Sequence, residues 1–142
     1  MNLGLSDNLK TAFPDVILKI RLLVRNKTIA DPQWLAGFAA AEGCFFVGMA
    51  KSSTIKIGVN VQLEFNITQH SRDNLLIKSL AEYLNCGKVY KNNNVSSYRV
   101  SKFAYLSEII IPFFKKYPII GVKSKDFEDF CLVVEIMKEK NI

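Results

Sequence analysis

The segment that most constrains the fold is a run of small residues from Trp34 to Phe45 that contains a single glutamate and a glycine near its end. It reads Trp-Leu-Ala-Gly-Phe-Ala-Ala-Ala-Glu-Gly-Cys-Phe, and its second half leads directly into a β-type sequence. Four small residues fall at positions i, i+1, i+4 and i+5 of a helix, namely Ala36, Gly37, Ala40 and Ala41. One face of the predicted helix is therefore nearly bare, so another backbone can approach it closely. Such packing would place Glu42 at a helix–helix seam.

Length, charge and cysteine content limit the class of protein. The chain has 142 residues, 49% of them hydrophobic, which predicts one compact domain. Its net charge of +6 favours contact with a polyanion. Three widely spaced cysteines without a CxxC pair indicate neither a disulfide framework nor a zinc site. Because neither a membrane-length apolar run nor a secretory signal is visible, we expect the protein to be intracellular.

The first 30 residues differ in pattern from the rest of the chain. They include a short helix that Ser6 could cap and that Pro14 interrupts, which predicts an N-terminal arm or linker over residues 1–30. The globular domain is predicted to span residues 31–142. It would begin with Asp31 as the helix N-cap and Pro32 at the first helical position.

Alternating residues predict a sheet. From Lys56 to Thr68, apolar and polar side chains alternate, which indicates a long strand with one buried face. The segment Phe45 to Lys51 is predicted to be its hairpin partner, and two further strands are predicted at Lys88–Lys91 and Val95–Lys102. The turn Asn92-Asn93-Asn94 would join these last two strands.

Helices are predicted between and after the strands. The first of them would be capped by Ser71, end near Gly87, and point five side chains inward: Leu75, Leu76, Leu80, Tyr83 and Leu84. Two more are predicted at Tyr105–Lys116, broken at Pro112, and at Lys125–Lys140 after a Ser124 cap. The order is α-ββ-α-ββ-α, with one extra helix near the end. It predicts an α+β domain whose four-stranded antiparallel sheet carries helices on one face.

The segment Leu35 to Gly43 resembles the defining helix of the LAGLIDADG homing endonucleases, Leu-Ala-Gly-Φ-Φ-Asp-Ala-Asp/Glu-Gly, which a strand follows. One position departs from it, since Ala40 stands where many members carry the first acid. The resemblance covers essentially the whole chain and implies the same element order. Residues 1–30 resemble the connector before the second half of single-chain fungal mitochondrial members. The resemblance thus implies an intron-encoded, mitochondrial protein related to such a C-terminal half.

The polar face of the predicted sheet carries side chains suited to reading DNA. Amides both donate and accept hydrogen bonds, so Asn and Gln pair with adenine edges, and Glu accepts from cytosine. A merely solvated face is the alternative interpretation. The predicted DNA-binding residues are Asn60, Gln62, Glu64, Asn66, Lys88, Tyr90, Asn92, Ser97, Arg99 and Ser101.

Glu42 is the candidate metal ligand. Phosphodiester hydrolysis needs a neutralised phosphate and an activated water, which a hard cation bound by oxygen ligands supplies, and Mg²⁺ fits such ligands. The family resemblance implies that Glu42 binds the metal together with a neighbouring main-chain carbonyl, taken to be that of Gly43. A solvated glutamate at a helix end is the alternative.

Two further catalytic candidates follow from the resemblance. Gln69 matches a strand-end Φ-x-Φ-Thr-Gln pattern whose glutamine orders water near the metal. Lys123 resembles the basic residue that reaches the scissile phosphate or the attacking water, although Lys125 is an alternative equivalent. For His70, the only histidine, we expect a surface or phosphate-contacting role rather than general-base catalysis.

One motif supplies one carboxylate and half of a DNA-binding sheet, whereas cleavage of both strands needs two. We therefore expect a homodimer on a long, palindromic or pseudopalindromic site, with the other half of a single-chain enzyme as the alternative partner. The predicted dimer interface comprises Leu35, Gly37, Phe38, Ala40 and Ala41. The expected activity is magnesium-dependent, site-specific cleavage of double-stranded DNA. A catalytically weak nucleic-acid-binding protein or intron RNA maturase is the alternative function, and an interaction domain that binds no nucleic acid remains a third interpretation.

Overall fold

The motif helix and the first strand follow each other without a loop. A computed structural model describes residues 6–15, 29, 31–56 and 58–140. Helix α2 (Pro32–Glu42) begins as predicted, with the Asp31 side chain accepting a hydrogen bond from the Gln33 amide at 2.8 Å. Its C-cap is Gly43, which is also the first residue of β1 (Gly43–Lys51). The helix therefore leads directly into the sheet.

The sheet is four-stranded and antiparallel, as predicted. Strand β2 (Val59–His70) pairs with β1 from Val59 to Ile67 and with β4 (Val95–Val100) from Phe65 to His70. Strand β3 (Lys88–Lys91) pairs only with β4. The strand order is β1-β2-β4-β3. The long alternating segment is thus a central strand. Its observed start is Val59 rather than Lys56, and Ile57, which the prediction included, lies outside the described residues.

An aromatic cluster joins the sheet to the helices. Phe65 on β2 and Tyr98 on β4 are completely buried, and their ring centroids lie 6.4 Å apart. Phe45 contacts Phe65 with a centroid distance of 5.0 Å, and it also packs against Phe127 and Phe130. Successive side chains of a strand point to opposite faces of the sheet. The helices pack against the face that carries Phe45, Phe65 and Tyr98, and the other face stays open. The prediction of helices on one face is confirmed.

The N-terminal helix α1 (Asp7–Ala12) is short and exposed. The Ser6 hydroxyl accepts a hydrogen bond from the Leu9 amide, as predicted, and the helix ends before Pro14. Most of the predicted arm, residues 16–28, lies outside the described residues. Ile29, placed in the arm by the sequence, is buried in the core of the domain. The boundary at residue 31 remains a prediction.

The helix after β2 starts later than the sequence predicts. Residues Ser71–Asp73 form a 3₁₀ turn, and α3 runs over Asn74–Leu84. His70, rather than Ser71, caps this turn, because its Nδ1 accepts a hydrogen bond from the Arg72 amide at 3.2 Å. The Ser71 cap was therefore wrong.

The later start also changes the buried face of α3. Ile77 is buried, whereas Leu75 and Tyr83, predicted to point inward, are 63% and 39% exposed. Tertiary packing on the sheet selects the Ile77, Leu80 and Leu84 face.

The C-terminal helices begin two residues earlier than predicted, and the first of them contains a π-helical turn. Helix α4 (Phe103–Tyr105) continues through a π-helical turn (Leu106–Ile110) into α5 (Ile111–Lys116). Pro112 has no amide hydrogen, and the wider turn accommodates its ring, so the predicted break is a π turn. Helix α6 (Lys123–Glu139) starts two residues before the predicted position. Ser124 is not its cap, because its hydroxyl donates to the Gly121 carbonyl.

No helix within the described ranges is long and apolar enough to cross a membrane.

Replacing Gly87 with alanine is expected to destabilise the domain by about 2–4 kcal/mol. Gly87 has a φ of 85°, and an added Cβ would lie 2.6 Å from the buried Tyr98 ring and 2.9 Å from the Arg99 carbonyl. Gly58 has a φ of 72° but open space around it, so Gly58→Ala should cost only about 1 kcal/mol of strain. Urea denaturation of both variants measures the difference, and equal losses would contradict the close packing at Gly87.

Candidate nucleic-acid interface and catalytic end

The open face of the sheet presents polar side chains on β2, β3 and β4, whereas β1 contributes Cys44, Phe46, Gly48 and Ala50 to the same face. The strand register aligns Cys44 with Asn66, Asn66 with Arg99, and Arg99 with Lys88. Further along β2, Glu64 and Gln62 lie opposite Phe46 and Gly48. The register therefore confirms that the predicted β2, β3 and β4 side chains share one face. Their contact with DNA stays a prediction.

Glu64 organises the centre of this open face. Its Oε1 accepts a hydrogen bond from Asn66 Nδ2 at 2.9 Å, and its Oε2 accepts from the Ser101 hydroxyl at 3.4 Å. These contacts orient the Asn66 amide, so its carbonyl oxygen stays available as an acceptor. Asn60 and Gln62, nearer the β1–β2 hairpin tip, are exposed.

Two of the predicted DNA-contacting residues are placed differently from the others. Ser97 is only 5% exposed, and its hydroxyl lies 2.9 Å from that of Thr68, so it is not free to reach a base edge. Asn92 lies in the β3–β4 turn, as predicted, and its side chain accepts a hydrogen bond from the Asn93 amide at 2.7 Å. Ser97 lies between its cross-strand partners, Thr68 on β2 and Tyr90 on β3, and these neighbours account for its burial.

The end of α2 brings together residues that are far apart in the sequence. Glu42 is exposed at the last position of the helix, and the Gly43 amide donates to the Ala39 carbonyl. Lys123, at the start of α6, donates from Nζ to the Ala41 carbonyl at 3.1 Å. The structure therefore places Lys123 beside the motif. Lys125, the alternative lysine, is exposed on α6.

Gln69 lies at the same end of the sheet. It is half-buried, pairs with Ser96, and comes two residues after Ile67, whose partner across the sheet is Gly43. The strand register thus places Gln69 at the end of the sheet where α2 enters β1. His70, the next residue, caps the 3₁₀ turn, and this role accounts for its position without catalysis.

The oxygen atoms at the end of α2 suit a hard cation. The Glu42 carboxylate is exposed, and the Ala41 carbonyl points where an ammonium group reaches it. Both lie at the negative end of the helix dipole, which favours a bound cation. The sequence alone did not single out the Ala41 oxygen, because only the contact with Lys123 reveals its direction. In the described ranges no three His, Cys, Asp or Glu side chains cluster into a metal site.

Fewer of the predicted interface residues on α2 are exposed than the sequence suggests. Leu35 is completely buried in the core of its own chain, so its predicted place in a dimer interface is wrong. Ala40 is half-buried and packs against the same core. Gly37 and Ala41 are exposed, and Phe38 stacks on Trp34 with a centroid distance of 5.0 Å. The sheet occupies the Leu35 side of the helix, which leaves the Gly37 side bare.

The fold and the site define an α+β protein in which one helix ends in a glutamate, Glu42, at the edge of a four-stranded sheet with one open face. Residues 35–134 match the family model described as LAGLIDADG endonuclease. The chain therefore belongs to the LAGLIDADG endonuclease family, as the motif predicted.

Similar proteins extend this assignment. The chain is 39% identical to probable intron-encoded endonuclease 3 of Neurospora crassa, covering 96% of this chain and 26% of the relative. It is 36% identical to probable intron-encoded endonuclease 2 of the same fungus, covering 99% and 32%. The chain thus spans about a quarter to a third of the length of these relatives.

Solved structures share the fold. The homing endonuclease I-SmaMI bound to cleaved DNA is 43% identical, with a TM-score of 0.84 over 99% of this chain and 48% of that one. I-SmaMI has also been solved on uncleaved DNA in the presence of calcium ions. I-CpaMI bound to uncleaved DNA is 38% identical, with a TM-score of 0.81 over 99% of this chain and 50% of that one. This chain therefore spans about half the length of the I-SmaMI and I-CpaMI chains.

Replacing Gly43 with alanine is expected to destabilise the domain by about 1–3 kcal/mol. An added Cβ would lie 2.6 Å from the Ala39 carbonyl oxygen, a backbone atom that cannot move aside cheaply. At Gly37 an added Cβ meets nothing within 4 Å, so Gly37→Ala should stabilise the helix by about 0.5–1 kcal/mol. Thermal and urea unfolding of both variants measure these changes. A neutral Gly43→Ala would show that the junction tolerates a side chain.

Proposed function

We propose that this chain forms one half of a site-specific DNA endonuclease that hydrolyses phosphodiester bonds with Mg²⁺. The observation that carries the proposal is the position of Glu42. Helix α2 ends in this exposed carboxylate at the edge of a sheet whose open face carries amides and cations. A domain that both binds a DNA sequence and cleaves the same duplex needs its catalytic carboxylate next to its DNA-binding surface.

The dimensions of the sheet suit a duplex. Strand β2 has 12 residues, which at about 3.3 Å per residue span roughly 40 Å. One turn of B-DNA is about 34 Å long, and its major groove admits a two-stranded β ribbon. From the Gly43–Ile67 pair to the Lys51–Val59 pair, the β1–β2 ribbon would follow about 8 base pairs outward from the cleavage position.

The chemical roles follow from the groups at the end of α2. Glu42 would hold Mg²⁺ with a main-chain oxygen, that of Gly43 as predicted or that of Ala41. Bound there, the ion supplies charge neutralisation on the phosphate and a more acidic water. Lys123 would transfer its hydrogen bond from the Ala41 carbonyl to the phosphate or the attacking water, a movement of one flexible side chain. Gln69 would hydrogen-bond and orient water.

Cleavage of both strands requires a second motif helix. We infer that a second copy of this chain packs its Gly37 and Ala41 surface against the first, giving a homodimer on a pseudopalindromic site. The other half of a longer, single-chain enzyme is the alternative partner, favoured by structural relatives about twice as long. Either partner brings a second carboxylate opposite Glu42.

The relatives named intron-encoded support an intron-encoded origin for this chain as well. We propose that it acts inside the cell, in the mitochondrion, where its DNA target would lie.

Glu42→Gln should abolish Mg²⁺-dependent cleavage while leaving DNA affinity within about twofold. The amide keeps the size of the side chain but removes the negative charge that holds the cation. Cleavage is measured on a plasmid library, and binding on duplexes selected from a random pool. Glu82→Gln, exposed on α3, is the matched control and should cleave normally. Binding without cleavage by the unaltered chain, with either Mg²⁺ or Mn²⁺, would favour the RNA maturase alternative instead.

Gly37→Leu should prevent pairing of two chains without unfolding either one. A leucine side chain fits on the isolated domain, because the position faces open space, but it would separate two helices packed face to face. Sedimentation equilibrium with and without duplex DNA measures association, and circular dichroism checks the fold. Lys78→Leu, on the exposed surface of α3, is the control. Unchanged association of Gly37→Leu would exclude this face as the seam.

A further inference from the structure

A cleft of about 630 Å³ opens at the β3 edge of the sheet. It is bounded by the end of α3, the turn before β3, the open faces of β3 and β4, and the segment that follows β4. Lys88, Tyr90, Arg99 and Ser101 belong to the polar face already described. Lys102 and Tyr105 come from the segment after β4 and were not singled out from the sequence.

The charged residues that line this cleft are all cations. Lys88, Arg99 and Lys102 line it, and its other lining residues include no aspartate or glutamate. In the described part of the chain, the ion pairs join Arg72 to Asp73 and Lys138 to Glu135, so none involves a cation of the cleft. The nearby Glu64 carboxylate is bonded to the Ser101 hydroxyl. Three cations without an acidic partner indicate an anionic ligand.

Aromatic rings position two of these cations. The Arg99 guanidinium lies 5.1 Å from the centroid of the Tyr90 ring, and Lys102 Nζ lies 4.9 Å from that of Tyr105. Such contacts restrict long side chains while leaving their donors free for a ligand. A stacked nucleobase is less well accommodated, because each cation already covers one face of its ring. Cys86, which also lines the cleft, stays neutral because burial raises the pKa of its thiol.

We propose that this cleft binds one backbone phosphodiester of the DNA duplex, with Lys102 as a phosphate ligand and Tyr105 as the residue that positions it. The inference rests on the proposed DNA binding and concerns the β3 edge of the polar face, where Lys102 and Tyr105 join it. Its volume exceeds that of a phosphate, so the flanking sugars and bridging water fit as well. A contact at the edge of the sheet would fix the register of the duplex without reading sequence.

The test is the salt dependence of binding to a random-sequence duplex of about 30 base pairs, which needs neither a known target nor cleavage. Each phosphate contact contributes about 0.9 to the slope of log K against log salt concentration. Lys102→Gln should lower this slope by about one unit and weaken binding roughly five- to tenfold at low salt.

The control is Lys116→Gln. Lys116 makes the same type of contact, 5.5 Å from the centroid of the Tyr117 ring, but it lies on α5 in the helical layer. It should leave the slope unchanged. Tyr105→Leu should reproduce part of the loss, whereas Tyr105→Phe, which keeps the ring, should restore wild-type binding.

A single neutral methylphosphonate moved along a selected duplex tests the site directly. At one position it should weaken wild-type binding but leave Lys102→Gln unaffected. Slopes equal for the Lys102 and Lys116 variants would overturn the phosphate site while leaving the nuclease proposal intact. Loss of cleavage in Glu42→Gln tests that proposal separately. Absence of any duplex binding by the wild-type chain would overturn both.

Discussion

The structure depends on the junction where α2 becomes β1 at Gly43. The Gly43 amide closes the helix on the Ala39 carbonyl, and the absence of a side chain lets that carbonyl approach to a distance no Cβ tolerates. The chain can therefore leave a helix and enter a sheet within one residue. Because β1 then pairs with β2 from Gly43 onward, the position of Glu42 is set by the sheet rather than by a flexible loop.

The two faces of the sheet have different roles: one forms the core with the helices, and the other presents polar side chains. Side chains alternate along β2, so Phe65 and Ile67 enter the core while Glu64 and Asn66 stay on the open face. The aromatic cluster around Phe45 and Phe65 holds the helices against one side. The open side carries hydrogen-bonding groups whose orientation is set in part by Glu64. A rigid core thus presents polar groups in a fixed register, which sequence-specific binding requires.

The residues of the motif helix that share a face do not all have the same neighbours. Its small residues predict a bare face, and Gly37 and Ala41 are indeed exposed. Leu35 and Ala36, however, face the core of the same chain. Spacing along a helix shows which residues share a face, but it does not show which neighbour occupies that face. Ser97 is a similar case, since strand alternation places it on the open face as predicted, whereas its burial depends on its cross-strand neighbours Thr68 and Tyr90.

The sequence by itself determined the element order, the long alternating strand, the Asp31 cap and the motif that identifies the family, because these depend on spacing between near neighbours. Helix starts at α3 and α6 were displaced by two or three residues, since packing on the sheet outweighs the capping preference of a single serine. Only the tertiary structure brought Lys123 to the Ala41 carbonyl and assembled the cleft of Lys88, Arg99 and Lys102. Contacts between residues far apart in the chain arise from how the elements pack, and local sequence patterns do not predict them.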